Sequence, residues 1–284
     1  MRPAYVESIA VIGPGLAGWR ESLGPLREPA TYRAGPLPSD DAVAFLSANE
    51  RRRTTPVIRL ALQVIDQLAR YSSLDLSKVN SVFASALGDL RGLDGVCSAL
   101  AAPGAPVSPL QFHNVVHNIP AGYWSRAAGA TGASTSLSAG DATFAAGLIE
   151  AVTCLGTGDN GAVLLVCYDH PGPAALARHV PVSAPFAVAM MLLPEATNGD
   201  CCALQMAVID RAPESDMKHP ELETLRRGNA AARALPLLTA IATGEGGRVL
   251  LPYVGQSTLA IEVTEARRRV FSFPLNRSKA MGDA

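Results

Sequence analysis

The sequence has few of the residues that mark a zinc site or a disulfide framework. Its cysteines number only five, lack any C-x-x-C spacing and mostly lie in apolar runs; they are Cys97, Cys154, Cys167, Cys201 and Cys202. An odd number of thiols in such surroundings favours reduced, buried cysteines over disulfides or zinc ligands. We therefore expect neither a metal nor a cofactor in this protein.

Charge is also scarce, because charged residues make up 17% of the 284 residues and the formal net charge is −1. A nearly neutral chain lacks the basic surface that binding to nucleic acid requires. No uncharged apolar run reaches the length of about 18 residues that would cross a bilayer, and the N-terminal stretch lacks the pattern of a signal peptide. Hydrophobic residues nevertheless reach 48%, which predicts a well-packed cytoplasmic protein of one large domain or two small ones.

A glycine motif follows the first apolar run of the chain. Val6–Ile12 predicts a buried strand, and Gly13–Gly18 after it matches G-x-G-x-x-G. A dinucleotide-binding unit also needs a second strand and an acidic residue about 20 residues further on. The following stretch, Trp19–Asp41, is rich in proline, glycine and charge and offers no second strand. Dinucleotide binding is kept only as a third hypothesis for the function.

Two short polar patterns have both a structural and a functional interpretation. The basic cluster Asn49–Arg53 is either a solvated helix face or a docking site for an acidic carrier protein. His113 and His117 are four residues apart and would share one face of a helix, as in some zinc sites. Asn114 stands where such zinc helices carry glutamate, which favours core or surface histidines over metal ligands.

Periodicity predicts several further elements. Thr55 and Pro56 begin a helix, with threonine as N-cap and proline in the first turn. Gln111–Ala127 has the pattern of a helix that is interrupted or bent at Pro120, and Leu222–Thr243 has the pattern of another helix. The two apolar runs Pro185–Leu193 and Cys202–Ile209 are separated by turn residues and predict a β-hairpin; two closing strands, Arg248–Val254 and Ser257–Val263, follow.

The most informative stretch is Ala130–Leu155. It predicts a short strand at Ser134–Leu137, a tight turn at Ala139 and Gly140, and then a largely uncharged helix. Such a unit places Asp141 at a helix N-terminus inside the protein, where the helix dipole favours an anion and where enzymes position a nucleophile. An aspartate is a poor nucleophile for acyl transfer. Asp141 either caps its helix or serves as an anion at the base of a pocket.

This stretch resembles the nucleophile elbow of β-ketoacyl synthases, the thiolase-fold condensing enzymes of fatty acid and polyketide synthesis. Gly132-Ala-Ser134 stands at the family's Gly-Pro-Ser, Gly158-Asp159 at the turn that closes the helix, and Ala162–Cys167 at the next strand. This register places Asp141 at, or within one residue of, the family's catalytic cysteine. The segment Val107–Gly122 also resembles the family's Ser-Pro…Asn-x-x-Ala-Gly approach helix, and the resemblance extends over roughly Ser8–Ala212.

The resemblance implies an α/β, thiolase-like fold with a mixed central sheet layered by helices and a truncated second half. The implied organisation is one domain over 1–266 with a shortened C-terminal half, and a poorly ordered tail over 267–284. The family's two catalytic histidines lie in its second half, in a His-Gly-Thr motif and near a later helix. Here His219 is the only histidine after residue 200, and it matches neither position.

The loss of the cysteine and both histidines predicts a non-catalytic ketosynthase-like subunit. It resembles the chain length factors of type II polyketide synthases, in particular the short ketosynthase-like subunits of aryl polyene clusters. The partners implied are an active β-ketoacyl synthase subunit, in a heterodimer, and an acyl carrier protein. The alternative is a stand-alone acyltransferase or hydrolase with an unrecognised nucleophile, although no histidine follows the serines before the turn at a recognisable spacing.

The resemblance also assigns roles to individual residues. Thiolase-fold synthases dimerise through the strand before the elbow and the helices beside it, and the residues expected at this interface are Ser134, Ser136, Ser138, Val116, Ile119, Tyr123 and Trp124. Exposed edge strands and aromatic anchors are typical of such contacts. The residues expected to line an acyl tunnel are Asp141, Phe144 and Phe112.

Overall fold

An eight-stranded sheet is the framework of the part of the chain that the computed structural model describes, residues 1–39, 43, 46–102, 104–157, 161–197 and 202–265. Its strands are β1 Ala4–Ile12, β2 Asn80–Ala84, β3 Ser134–Leu137, β4 Val163–Asp169, β5 Phe186–Leu193, β6 Cys202–Asp210, β7 Gly247–Pro252 and β8 Ser257–Thr264. Their spatial order is β3-β2-β4-β5-β1-β6-β8-β7. Strand β2 pairs in parallel with β3 and β4, whereas all other neighbours are antiparallel. The predicted mixed sheet is confirmed.

Helices cover both faces of this sheet. Those of the described residues are α1 Trp19–Arg27, α2 Ala48–Arg53, α3 Pro56–Ala69, α4 Leu90–Ala101, α5 Pro109–Asn114, α6 Ile119–Ala128, α7 Thr143–Thr153, α8 Ala174–Ala177, α9 Pro220–Gly228 and α10 Leu235–Thr243. Apolar side chains of α3 and α6 pack on one face, and those of α1, α7, α9 and α10 on the other. Strand β4 is buried along its whole length and supplies alternate side chains to the two cores, as a strand covered on both faces must.

Helix α7 lies unusually close to the sheet. Gly147 permits this approach, because a Cβ atom at that position would lie 2.9 Å from the Cβ of Ala84 on β2. Strand β7 also contacts the turn Gly140–Ala142 that precedes α7, although β7 and β3 are at opposite ends of the strand order. The sheet therefore curves around α7 and α10 and brings its two ends towards the same site.

The region after β5 is short. Within the described residues it contributes β6, β7, β8, α9 and α10, and its strands extend the first sheet instead of forming a second one. This arrangement agrees with the expectation of a reduced second half. The predicted turn Gly158-Asp159, Cys201 and the predicted tail 267–284 lie outside the described residues, so the proposed domain limits remain a prediction.

The predicted hairpin is wrong, because β1 lies between β5 and β6. Tyr5 pairs with Leu193 on one side and with Ala203 on the other. Two apolar runs separated by a turn do not reveal that a distant third strand inserts between them. The same topology excludes the dinucleotide hypothesis, since that unit requires a parallel neighbour for the first strand and both neighbours of β1 are antiparallel.

The two long predicted helices are each divided. Helix α5 ends at Asn114 and α6 begins at Ile119, so the break precedes Pro120, which occupies the first turn of α6. Helices α9 and α10 are separated at Asn229, whose side-chain oxygen accepts hydrogen bonds from the backbone of Ala231 and Ala232. The start of α3 at Pro56, with Thr55 at the N-cap position, is confirmed.

Candidate functional site

The carboxyl ends of the three parallel strands β2, β3 and β4 meet at one edge of the sheet, where open α/β sheets commonly bind ligands. A pocket of about 150 Å³ opens there, and we call it the strand-end pocket. Two carboxylates line it: Asp169 is the last residue of β4, and Asp141 follows β3. Leu87 from the end of β2 and the segment Arg227–Ala230 complete much of the wall.

Asp141 is neither buried nor a helix cap. The N-cap of α7 is Ala142, and the turn is tied by Thr143, whose hydroxyl donates to the carbonyl of Gly140 (2.6 Å) and accepts from the backbone N–H of Ala139 (3.0 Å). The side chain of Asp141 is 76% exposed, and its Oδ2 lies 3.3 Å from Nη2 of Arg233. The capping interpretation and the expectation of a buried position are therefore wrong. A 3₁₀ turn at Gly140–Ala142 separates the strand from the helix and carries Asp141 outward.

Asp169 occupies the opposite environment. It is almost fully buried, and its Oδ1 accepts hydrogen bonds from the Ser85 hydroxyl (2.9 Å) and the backbone N–H of Leu87 (3.2 Å). Its Oδ2 accepts a longer bond, of 3.3 Å, from the N–H of Ala86. Burial raises the pKa of Asp169 from 3.8 to about 6, although the bond from Ser85 opposes the rise. Sequence reasoning missed this residue; an acid at the end of an apolar strand was the available signal.

Ser85, His117 and Asp169 lie close together but do not form a catalytic triad. The Ser85 hydroxyl is fully buried, donates to Asp169 and accepts from the N–H of Gly88 (2.9 Å). His117 reaches the backbone carbonyl of Ser85 through Nε2 (2.9 Å) and not the hydroxyl. A serine nucleophile needs its hydroxyl next to a base and accessible to substrate, and neither condition is met.

The remaining candidate catalytic groups are dispersed. Ser134 accepts a hydrogen bond from Ser81, and Ser138 donates to the carbonyl of Ala86, so neither is activated by histidine. None of the residues that line the strand-end pocket is a histidine. His113 and His117 do not share a helix face, because α5 ends between them. Within the described ranges, no group of three or more His, Cys, Asp or Glu side chains is placed to hold a metal ion.

The expected tunnel residues do not line a common pocket among the pockets described for this part of the chain. Phe144 is fully buried in the core beneath the sheet, whereas Phe112 on α5 is 60% exposed. Neither lines the strand-end pocket, to which only Asp141 of the three contributes. The acyl-tunnel assignment stays a prediction for an assembled complex.

The expected interface residues divide into two groups. Strand β3 is an edge strand paired only with β2; Ser134 and Ser138 are exposed, and Ser136, Ile119 and Tyr123 are half-buried. Val116 is also largely exposed. Trp124 is 1% exposed and packs in the core of this chain, so it is not available as an interface anchor. The amphipathic α6 turns its largest side chain towards the sheet and not towards a partner.

Sequence reasoning singled out Val116 as an interface residue but missed the other exposed apolar side chains on α4 and α5 as a surface. We call it the apolar patch; its residues are Leu93, Leu100, Leu110, Phe112 and Val116. All five are large side chains left exposed by the fold, and α4 and α5 pack against each other. The signal was weak because the α4 region has the composition of a loop and a short helix. Among the helices that the structure describes, none is long and apolar enough to cross a membrane.

Comparisons with known proteins agree with this architecture. The family model described as the N-terminal domain of β-ketoacyl synthase matches residues 26–246. No curated protein matches the chain. A solved structure of the ketosynthase ApeO in complex with its chain length factor ApeC, from Xenorhabdus doucetiae, is 22% identical with a TM-score of 0.69, and the alignment covers 91% of this chain and 99% of that one.

Two further solved structures are similar. The AntDE:AntF complex of a type II polyketide synthase acyl-carrier protein with its ketosynthase is 11% identical, with a TM-score of 0.73 and coverage of 93% of this chain and 100% of that one. The ishigamide ketosynthase/chain length factor is 13% identical, with a TM-score of 0.68 and coverage of 93% and 99%. At these identities the likeness shows the fold.

Proposed function

The chain belongs to the β-ketoacyl synthase family, and from that premise we propose that it is a non-catalytic subunit of the chain length factor type. In this proposal it pairs with an active β-ketoacyl synthase and takes part in fatty acid or polyketide chain elongation, as in aryl polyene synthesis. The observation that carries the proposal is Asp141. The sequence register assigns it to, or within one residue of, the family's nucleophilic cysteine; it is paired with Arg233, and none of the described residues that line its pocket is a histidine.

No described cysteine is placed to replace the missing nucleophile. Burial raises the pKa of the Cys167 thiol well above its ordinary value, and burial also raises that of Cys154. Both remain protonated at neutral pH, and a protonated thiol is a poor nucleophile. Neither they nor the exposed Cys97 lines the strand-end pocket. The alternative of a stand-alone acyltransferase or hydrolase therefore gains no support from the site.

The surface supports a partner chain. Within the described residues β3 is an edge strand, and its neighbour β2 is followed in the chain by α4, which carries part of the apolar patch. Exposed apolar clusters of this kind mark protein interfaces, and open strand edges are sites for pairing with another chain. The likeness to structures of ketosynthases with chain length factors agrees with a heterodimer. The candidate interface combines the β3 edge with the apolar patch, and Trp124 is excluded from it.

A surface that adjoins the apolar patch, and shares Leu110 with it, suits an acyl carrier protein. A groove of about 400 Å³ lies beside α2 and α6 and is lined by Arg53, Tyr123 and Arg126, among other residues. The Arg126 guanidinium lies 5.7 Å from the centre of the Tyr123 ring, and it also pairs with Glu50, which reduces the net positive charge of the groove. Exposed Arg52 and Arg53 remain as cationic groups for an acidic partner.

The test is co-expression with the ketosynthase encoded by a neighbouring gene, followed by size-exclusion chromatography with light scattering. We expect a heterodimer that Phe112→Glu weakens by about tenfold or more, since a charge would be buried in an apolar contact. Val254→Glu is the matched control, because Val254 is also an exposed apolar residue but lies in the turn between β7 and β8. A monomer that ignores the ketosynthase at micromolar concentration would refute the heterodimer.

Activity is assayed separately from assembly. The isolated chain with malonyl- and acyl-carrier protein should give no ketoacyl product above the blank, and mass spectrometry should detect no acyl group on the protein. Reproducible product that is lost on Asp141→Ala would overturn the non-catalytic assignment.

A further inference from the structure

A polar cavity that is larger than the strand-end pocket lies beside it. It has a volume of about 690 Å³ and is lined by Arg211, Arg226, Arg227 and Arg233, with Glu214 and Asp216, and we call it the arginine cavity. Arg227 lines both spaces, so the two adjoin. The role proposed above for the chain makes no use of the arginine cavity.

Neighbouring carboxylates hold the guanidinium groups that line this cavity. Glu223 binds Arg226 through both oxygens (2.7 and 2.8 Å) and also pairs with Arg227, yet it does not line the cavity. The hydrogen bond from Arg226 is the main cause that lowers the pKa of Glu223 to about 2, so this carboxylate is ionised at neutral pH. Its negative charge holds Arg226 and Arg227 in place.

Arg233 is held in the same way and has a donor to spare. Its Nη1 bonds to Glu214 (2.9 Å) and its Nη2 to Asp141 (3.3 Å), while the side chain is only 10% exposed. Within the described residues its buried Nε–H has no acceptor. A buried donor without a partner costs free energy, and Arg233 is one of the residues that line the cavity.

The arginine cavity is therefore lined by guanidinium groups that ion pairs hold in place, and one of these groups has an unused donor. Four arginines and two acids line it, Glu223 and Asp141 pair with three of the arginines, and Arg226 and Arg233 are fixed by ion pairs before any ligand arrives. Arginine forks match the oxygens of phosphate closely, and donors fixed in advance lose little entropy on binding. The volume falls in the range of small-molecule sites and exceeds what a single phosphate would fill.

We propose that the arginine cavity binds the phosphoryl group of a small phosphorylated molecule, with Arg227 and Arg211 as the accessible cations and Arg233 as the buried donor. The proposal rests on the four guanidinium groups that line the cavity and on the unpartnered Nε–H of Arg233, not on the family of the chain. It is also independent of the heterodimer, because neither Arg211 nor Arg227 belongs to the β3 edge or the apolar patch.

The test is calorimetric titration of the full chain with inorganic phosphate at low ionic strength, where charge interactions are least screened. We expect saturable binding with a Kd of about 1 mM or tighter. Arg227→Gln and Arg211→Gln should each raise the Kd by about fivefold or more, since each removes a charge-assisted contact. Arg248→Gln is the matched control, because Arg248 is an exposed, ion-paired arginine on β7 that does not line the cavity.

Two further arms separate a built site from general attraction. Arg233→Lys keeps the charge but removes the Nε–H and should weaken phosphate binding while circular dichroism shows an unchanged fold. Acetate should bind at least about tenfold more weakly than phosphate, because it carries less charge and fewer acceptor oxygens. Absence of phosphate binding up to about 20 mM, equal Kd values for all variants, or equal affinity for acetate would each overturn the proposal.

Discussion

Asp141 and Asp169 line the same pocket from neighbouring strand ends, yet the fold treats the two carboxylates in opposite ways. Asp141 is exposed and touches one cation, Arg233, at 3.3 Å. Asp169 is buried, accepts hydrogen bonds from three groups at the end of β2, and has a pKa raised to about 6 by burial. The sequence register predicts that Asp141 is the counterpart of a nucleophile, whereas the physical environment distinguishes Asp169.

This difference in environment indicates which of the two carboxylates stabilises the fold. The hydrogen bonds of the Asp169 side chain connect the end of β4 to the residues that follow β2. Its backbone carbonyl also accepts a hydrogen bond from the side chain of Asn229, which lies between α9 and α10. Asp141 joins nothing along the sheet, because Thr143 closes its turn. We infer that Asp169 stabilises this end of the sheet while Asp141 contributes little to stability, and the predictions below test that contrast.

The largest effect expected is a pH dependence of stability that Asp169 causes. Its folded pKa of about 6 exceeds the ordinary value of 3.8, so the folded state holds this proton more tightly than the unfolded state. As pH rises from about 4 to about 6, the free energy of unfolding should fall by up to about 3 kcal/mol from this group and then level off. Urea unfolding between pH 4 and pH 8 measures the change.

The control for this prediction is Asp169→Asn, which keeps an oxygen acceptor but cannot ionise. Subtracting the free energy of unfolding of the variant from that of the wild type removes the contribution of other carboxyl groups. This difference should fall between pH 4 and pH 6. Glu223 acts in the opposite sense at lower pH, since its pKa is lowered and its contribution is lost as pH falls from about 4.5 to about 2. Equal slopes for wild type and Asp169→Asn above pH 4 would show that Asp169 is not the cause.

The next effect is the loss of stability in Asp169→Ala at pH 7. This change removes the acceptor for the buried Ser85 hydroxyl and for two backbone N–H groups, and we expect a cost of about 2 kcal/mol. Removal of the desolvated charge offsets part of that loss. In Ser85→Ala/Asp169→Ala the two costs should not add, because they share one hydrogen bond, and urea midpoints of the three variants test this.

A smaller effect is expected for Asp141→Ala, which should cost less than about 1 kcal/mol. The carboxylate is exposed, and exposed ion pairs contribute little. Arg233 keeps its bond to Glu214, so its charge is not left without a partner. The same urea measurements apply, and a cost equal to that of Asp169→Ala would remove the contrast between the two residues.

The features that the sequence predicted are those set by neighbouring residues. The strand Ser134–Leu137 and the start of α3 at Pro56 follow from local patterns, the mixed sheet follows from the resemblance to β-ketoacyl synthases, and all three are found. The environment of Asp141 does not follow from them, because it depends on Arg233, 92 residues away. Trp124 is similarly of a residue type that is common among interface anchors, and only the packing of α6 on the sheet shows that it belongs to the core.

The smallest effect expected is that of Asp141→Cys on condensation, which should remain undetectable. The variant restores a thiol at an exposed position beside Arg233, where a nearby cation favours the thiolate. We therefore expect the protein to become acylated by acyl-carrier thioester, with the adduct visible by mass spectrometry.

Condensation also requires groups that decarboxylate the extender, and none of the described residues that line the pocket is a histidine that could do so. His117 cannot take this role, since its Nε2 is held by the carbonyl of Ser85. The variant is assayed without any partner ketosynthase. Ketoacyl product would mean that Asp169 or another group of this pocket supplies acid–base chemistry. Asp169 could then no longer be described as a structural residue, in contrast to an Asp141 without a role in stability or catalysis.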